Sequence, residues 1–164
     1  SFNHEFVYTE LPYLDATILS GTEALYSKRS ARVQFSGMIE TIKELRLPSL
    51  GICGGEQLIA LAFGKPNVPV GRLIRWYRNV DVIEDDALFE DLPRTISVME
   101  SHYEIVKSLP ASFRLLARSK STSVEAFRSS SAQLYGLQFH PEYNDHEHPA
   151  GARILTNFKR VLKQ

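Results

Sequence analysis

The chain has 164 residues, 43% of them hydrophobic and 23% charged, with 19 basic residues balanced by 19 acidic ones. That length fits one domain able to bury a substantial core, and the even charge gives no support for a nucleic-acid-binding surface or a polybasic membrane patch. No apolar run is long enough to span a bilayer and no signal-peptide pattern opens the sequence, so neither nucleic acid nor membrane is expected as a partner. The single cysteine, Cys53, rules out an internal disulfide and favours a reducing, cytoplasmic setting.

Taken in order, Glu5–Thr9 and Ala16–Leu19 read as strands, the second ending at the Ser20-Gly21 turn. Between Ala31 and Leu45 the apolar residues Phe35, Met38, Ile39, Ile42 and Leu45 recur at helical spacing. Pro48 closes that region, Ser49–Ile52 is a short apolar strand, and a second helix follows at once and stops at Gly64. Further strands are expected at Asn79–Ile83, Thr95–Met99, Leu115–Ala117, Val124–Phe127 and Leu134–Phe139, and a last helix at about Gly151 to Leu162. Alternating strands and helices followed by a β-rich half predict an α/β fold: a mixed, largely parallel sheet with flanking helices.

The segment Pro48-Ser-Leu-Gly-Ile-Cys-Gly-Gly-Glu-Gln57 sends a strand through a glycine-rich turn directly into a helix, with Cys53 at the apex. This is the pattern of a nucleophile elbow, in which residues lacking Cβ let strand and helix approach. A thiol at a helix N-terminus is drawn toward thiolate, and the unpaired N–H groups there can receive an oxyanion. A glycine-rich strand-to-helix turn can instead bind phosphate, although neither phosphate-binding glycine pattern fits these residues. The elbow alone leaves a nucleophilic cysteine ahead of a structural one without deciding the matter.

A second motif, Tyr135-Gly-Leu-Gln-Phe-His-Pro-Glu142, ends a strand in a histidine that a rigid proline separates from a carboxylate. A cysteine nucleophile needs a base, and the base needs an acid to fix its tautomer. His140 and Glu142 fit those roles, while a lone His-x-Glu elsewhere would be a solvated loop end. Gly51-Ile-Cys-Gly-Gly-Glu-Gln57 and Gly136-Leu-Gln-Phe-His-Pro-Glu142 together resemble the two signatures of the class I (triad) glutamine amidotransferases, in the expected order, and the resemblance runs from Glu5 to the last helix.

The resemblance implies that Cys53 attacks the side-chain amide of glutamine to form a γ-glutamyl thioester, with His140 moving the proton and Glu142 orienting His140. It implies flavodoxin-like layering of the sheet, an oxyanion site on the backbone N–H groups of Gly54 and Gly21, positioning of the substrate by Gln57, and contact of the Ser101-His102 backbone with the substrate's amino-acid end. The last two also read as a simple strand terminus. No cofactor and no metal is called for. The ammonia released would pass to a synthase, as a partner subunit or fused domain; the alternatives are a stand-alone γ-glutamyl hydrolase and a non-catalytic scaffold that keeps the fold. A single domain over 1–164 is expected, lacking the family's first strand and helix. Thr22 and Glu23 depart from the glycine-rich turn usual in the family, and Glu56 is expected to point outward from its helix, since inward it would oppose a thiolate.

Three further clusters carry weaker chemistry. Asp145-His-Glu-His148 with Glu142 is read as a solvated loop rather than a metal site. Arg72, Arg75 and Arg78, interleaved with Trp76 and Tyr77, could meet a partner protein or an anionic substrate but are read as a half-exposed strand, and Glu84-Asp-Asp86 as a solvated turn.

Overall fold

A computed structural model describes residues 14–163, so the strand expected at Glu5–Thr9 lies outside the described residues. In chain order the elements are β1 (Thr17–Leu19), α1 (Arg29–Gln34), α2 (Ser36–Glu44), β2 (Ser49–Ile52), α3 (Gly54–Ala62), β3 (Asn67–Val82), a 3-10 turn (Ala87–Phe89), β4 (Thr95–Val106), β5 (Phe113–Arg118), β6 (Ala126–Ser129), β7 (Leu134–Leu137) and α4 (Ala150–Val161). The seven strands form one sheet in the order β1-β2-β7-β6-β5-β3-β4.

The mixed sheet with flanking helices expected from the sequence is present. Its parallel part is confined to β1–β2 and β2–β7, and the four other pairings are antiparallel, so the parallel share is smaller than the sequence suggested. The reason is local: no α-helix intervenes between β3 and β7, and short connections can join only antiparallel neighbours. β2 and β7 are buried at every position, as parallel strands covered on both faces must be. One face packs Leu50, Ile52, Leu137 and Phe139 against Ile154, Phe158 and Val161 of α4. The other packs Leu134 and Phe127 against Leu58 and Ile59 of α3 and Ile42 of α2. Helices therefore cover both faces.

The helix expected over Ala31–Leu45 is two helices that break at Phe35, whose φ of −99° and ψ of 12° leave the helical region. The Ser36-Gly37 pair permits the bend, and the Phe35 ring meets Tyr26 edge-on at 5.3 Å. β3 is much longer than the expected Asn79–Ile83. A register shift between Pro69 and Ile74, with Gly71 at φ +79°, interrupts its ladder with β4, and that bulge hid the strand's periodicity. The Arg72–Arg78 stretch lies in this strand, with Trp76 69% exposed, as the half-exposed reading required.

Glu84-Asp-Asp86 is not simply a solvated turn. The Asp86 side chain is fully buried; it accepts the Leu88 backbone N–H and pairs with Arg114 at 3.3 Å and Arg128 at 3.0 Å. Capping the 3-10 turn while facing two guanidinium groups offsets the cost of desolvating the carboxylate.

Candidate active site

β2 delivers Cys53 to the end of the parallel β2–β7 pair, and α3 begins at the next residue. The Cys53 backbone sits at φ 50° and ψ −104°, a conformation that L residues avoid and that costs of order 1–3 kcal/mol. Surrounding contacts hold it there. Cys53 N–H donates to Leu137 C=O at 2.7 Å, and Gln57 N–H to Cys53 C=O at 3.0 Å as the first bond of α3. The N–H groups of Gly54, Gly55 and Glu56 precede that bond and are the unpaired donors of a helix N-terminus. Close packing explains the glycines: a Cβ on Gly55 would collide with the carbonyl of Leu19, and one on Gly54 would lie 2.8 Å from the backbone nitrogen of Thr22. The Gly21 turn is thereby pressed onto the start of α3.

His140 arrives on the neighbouring strand. Its N–H donates to Met99 C=O at 2.8 Å, extending β7 into an isolated bridge with β4. Glu142 follows the Pro141 turn, which is clamped because Gly151 at the start of α4 leaves no room for a Cβ beside the Pro141 carbonyl. His140 Nδ1 and Glu142 Oε1 are 2.6 Å apart. His140 Nε2 is buried and has no hydrogen-bond partner among the described residues. A Cβ placed on Gly21 would be 3.7 Å from Cys53 Cβ and 4.0 Å from His140 Nε2, so three segments remote in sequence converge on one point.

The electrostatics suit a thiol–imidazole pair. Burial opposes charge on His140, but the Cys53 sulfur and the Glu142 carboxylate outweigh it and push the imidazole up to about 10. Burial would raise Glu142, yet its hydrogen bond with His140 holds it below the usual carboxylate value. The two partners therefore agree: a carboxylate faces an imidazolium. A cavity of about 460 Å³ opens over these groups, lined by Ser20, Gly21, Thr22, Glu23, Cys53, Arg75, Met99, Ser101, His140, Glu142 and Tyr143.

The expected substrate contacts divide. Ser101 lines the cavity, and its carbonyl is 3.5 Å from Cys53 Sγ. The His102 side chain points to the opposite side of β4, buried, with Nε2 2.9 Å from Glu100 Oε2; adjacent strand side chains face opposite ways, so His102 could meet a substrate through its backbone alone. Gln57 is also buried behind it, donating to Glu104 C=O at 2.7 Å and to Gln138 Oε1 at 3.2 Å. Sequence reasoning missed Gln138, whose Nε2 reaches Cys53 Sγ at 3.8 Å. The signal was available: Gln138 and His140 are two apart at the end of one strand and share a face.

Glu56 corrects an expectation. It does not point outward but is fully buried, with both oxygens unpartnered among the described residues and its Cγ against Gly136. The first turn of α3 is enclosed by β1, β2 and β7, so no outward direction exists there. Burial first, then Cys53 and Glu125, hold its carboxyl well above the ordinary range. A neutral Glu56 brings no negative charge to oppose a thiolate.

Nearby Glu125 is also fully buried, and burial with Glu100 beside it pushes its carboxyl up to about 9. It keeps its proton in the fold, whereas the unfolded chain loses it near pH 4.5. The native state then holds more protons, so stability falls as pH rises between these values. We expect Glu125→Gln to flatten this decline: urea denaturation at pH 5 and pH 8 should give closer unfolding free energies in the variant than in the parent. An unchanged slope would contradict a protonated Glu125.

No group of three or more His, Cys, Asp or Glu side chains that could hold a metal ion occurs among the described residues. Asp145 instead caps the Glu147 and His148 N–H groups, and the His148 ring stacks on Tyr77 at 3.6 Å. No described helix is long and apolar enough to cross a membrane.

Comparison with known proteins agrees with this arrangement. The pattern of the glutamine amidotransferase class-I family matches residues 13–161. The glutamine-hydrolysing GMP synthase subunit of Pyrococcus furiosus is 42% identical over 125 residues, covering 76% of this chain and 65% of that protein. Its counterpart from Methanothermobacter thermautotrophicus is 35% identical over 151 residues, 92% of this chain and 80% of that protein. Among solved structures, a candidate GMP synthase subunit from Thermoplasma acidophilum superposes with a TM-score of 0.85 at 31% identity, covering 98% of this chain and 78% of that one. A glutamine amidotransferase from Thermotoga maritima gives 0.68 at 25% identity, over 93% of this chain and 64% of that one. The chain spans slightly less than two thirds of several of the curated relatives it matches. A cysteine elbow, a His-Pro-Glu turn opposite it and a sequence match over nearly the whole chain lead to one conclusion: the protein belongs to the class I glutamine amidotransferase family.

Proposed function

We propose that the chain hydrolyses the side-chain amide of glutamine through a thioester on Cys53 and delivers the ammonia to a partner synthase, with GMP synthesis as the setting. The observation that carries this reading is the convergence of Cys53, His140 and the Gly21 turn at one cavity, with Glu142 2.6 Å from His140. The glutamine-hydrolysing GMP synthase relatives favour that acceptor over others.

In the first half-reaction the Cys53 thiolate attacks the amide carbon. The oxygen takes the negative charge beside the N–H groups of Gly54 and Gly21. The His140 imidazolium gives its proton to the amide nitrogen, the C–N bond breaks, and ammonia leaves a γ-glutamyl thioester. In the second half-reaction neutral His140 takes a proton from water, the hydroxide adds to the thioester, and the C–S bond breaks to release glutamate. Proton and charge return to the starting thiolate–imidazolium pair. Ser101 borders the substrate through its backbone, and Gln57 acts from behind by holding β4 and Gln138 in place. The free thiol is consistent with a reducing cytoplasm.

Ammonia release from glutamine, measured with and without a GMP-forming synthase and its substrates, separates the readings. Release that rises strongly with the synthase supports the amidotransferase. Equal release without it supports a stand-alone γ-glutamyl hydrolase, and no release under either condition supports a scaffold.

A further inference from the structure

The Cys53 sulfur has two polar neighbours outside the triad. The Ser101 C=O lies 3.5 Å from Sγ, and Gln138 Nε2 lies 3.8 Å from it. One is an acceptor and the other a donor, so they suit different states of the same sulfur. A thiol can give its proton to the carbonyl. A thiolate has no proton to give and is repelled by that oxygen, while it accepts the amide N–H.

Its hydrogen bonds decide which end of the Gln138 amide faces the sulfur. The Glu104 C=O can only accept, and it lies 2.7 Å from the Gln57 amide, which fixes that end of Gln57 as Nε2. The same Nε2 is 3.2 Å from Gln138, so the atom it meets there is Oε1. Nε2 of Gln138 is then the end left for Cys53. A backbone carbonyl thereby sets the polarity of two amides in series. Gln57 is 4% exposed and Gln138 0%, so solvent offers these bonds little competition. The backbone is pinned as well: Gln138 N–H donates to Glu125 C=O at 2.9 Å, and Cys53 N–H donates to the adjacent Leu137 C=O at 2.7 Å. Gln138 is not among the residues lining the cavity, so it meets the sulfur from the core side, where a bound substrate leaves it in place.

We propose that Gln138 is a further catalytic residue that stabilises the thiolate. Its Nε2–H meets the negative charge on Cys53 Sγ when the thiol loses its proton. It does so again when the thioester C–S bond breaks and the electron pair returns to sulfur. This deepens the glutaminase reading above and rests on Cys53 as its nucleophile. Gln57 and Glu104 are positioning residues for that donor. An amide neither gains nor loses a proton in the working pH range, so Gln138 does not compete with His140 for the proton in transit. Stabilising the charge favours forming the thiolate and expelling it, and slightly blunts its attack.

The test needs neither glutamine nor the synthase. The sequence has one cysteine, so the rate of alkylation by iodoacetamide reports the Cys53 thiolate directly. Rates are measured from acidic to alkaline pH for the parent and two variants. Gln138→Met removes the donor and keeps the volume; Gln138→Glu keeps the shape and the bond from Gln57 but turns an oxygen toward the sulfur. On the acidic limb, where thiolate is scarce, Gln138→Met should react about three- to tenfold more slowly, the effect of losing one long charge-assisted hydrogen bond, and Gln138→Glu more slowly still. On the alkaline plateau, where the thiol is fully ionised, both should match or exceed the parent, because a less stabilised thiolate is the better nucleophile. Thermal unfolding followed by circular dichroism checks each fold, and Gln138→Glu carries the comparison if methionine is not tolerated. Coincident profiles overturn this inference, and so does a loss of the same size at every pH, since a structural defect lowers the plateau as well. The glutaminase reading stands or falls separately, on ammonia release.

Discussion

Cys53→Ala is expected to reduce glutamine hydrolysis by about 10⁴-fold or more, because a thioester pathway without its nucleophile retains only binding and oxyanion stabilisation. The same position should report its strain. Cys53 is held at φ 50°, where any residue with a Cβ is disfavoured. Cys53→Gly should be as inactive as the alanine variant yet more stable than it by roughly 1 kcal/mol, the relief of strain exceeding the added freedom of glycine in the unfolded chain. Ammonia assays and urea denaturation of the two variants check both parts. Equal stability would mean that the elbow stores no strain.

Glu142→Gln carries the second large effect. The carboxylate and the Cys53 sulfur together hold His140 charged up to about pH 10. A group raised in this way keeps its proton throughout the neutral range and gives it up only as pH passes the raised value. Activity that needs an imidazolium to protonate the leaving nitrogen should therefore stay level from neutrality upward and fall near pH 10. Neutralising Glu142 removes one of the two supports, so the alkaline fall should move toward neutral pH and the plateau rate should drop by about 10²-fold. His140→Asn should lose more, about 10³-fold, with no alkaline limb attributable to this residue. Rate profiles from neutral to strongly alkaline pH for the three proteins decide the matter; an alkaline limb that Glu142→Gln leaves in place would show that the carboxylate does not sustain the imidazolium.

How much of this was legible in the sequence depended on whether the determining contacts were local. The elbow at Cys53 could be read because a strand, a glycine-rich turn and a helix follow one another without a break, and His140-Pro-Glu142 because one proline fixes the spacing between base and acid. Both motifs place their side chains through backbone geometry confined to a few residues. Gln138 was missed although it sits inside the second motif, since its importance comes from reaching across to a sulfur 85 positions away. Arg75 was visible only as part of a basic aromatic run. Its place over the cavity follows from the β3–β4 register, which the bulge between Pro69 and Ile74 conceals.

Glu56 shows the opposite failure. A charged residue in the first turn of a helix is ordinarily exposed and helps the macrodipole. Here β1, β2 and β7 close around that turn, and burial converts the charge to a neutral acid. Tertiary enclosure overrode the local rule, as it did for Asp86, whose two arginine partners lie 28 and 42 residues downstream. The division of α1 from α2 had a local signal, the Ser36-Gly37 pair, that helical periodicity masked.

The most direct measurement is the mass of the acid-quenched protein after brief exposure to glutamine in the presence of the partner synthase. One γ-glutamyl group on the peptide containing Cys53, absent from the Cys53→Ala protein, is the predicted result. Ammonia release with that peptide unmodified, or with the label on another side chain, would contradict a covalent reaction at this thiol.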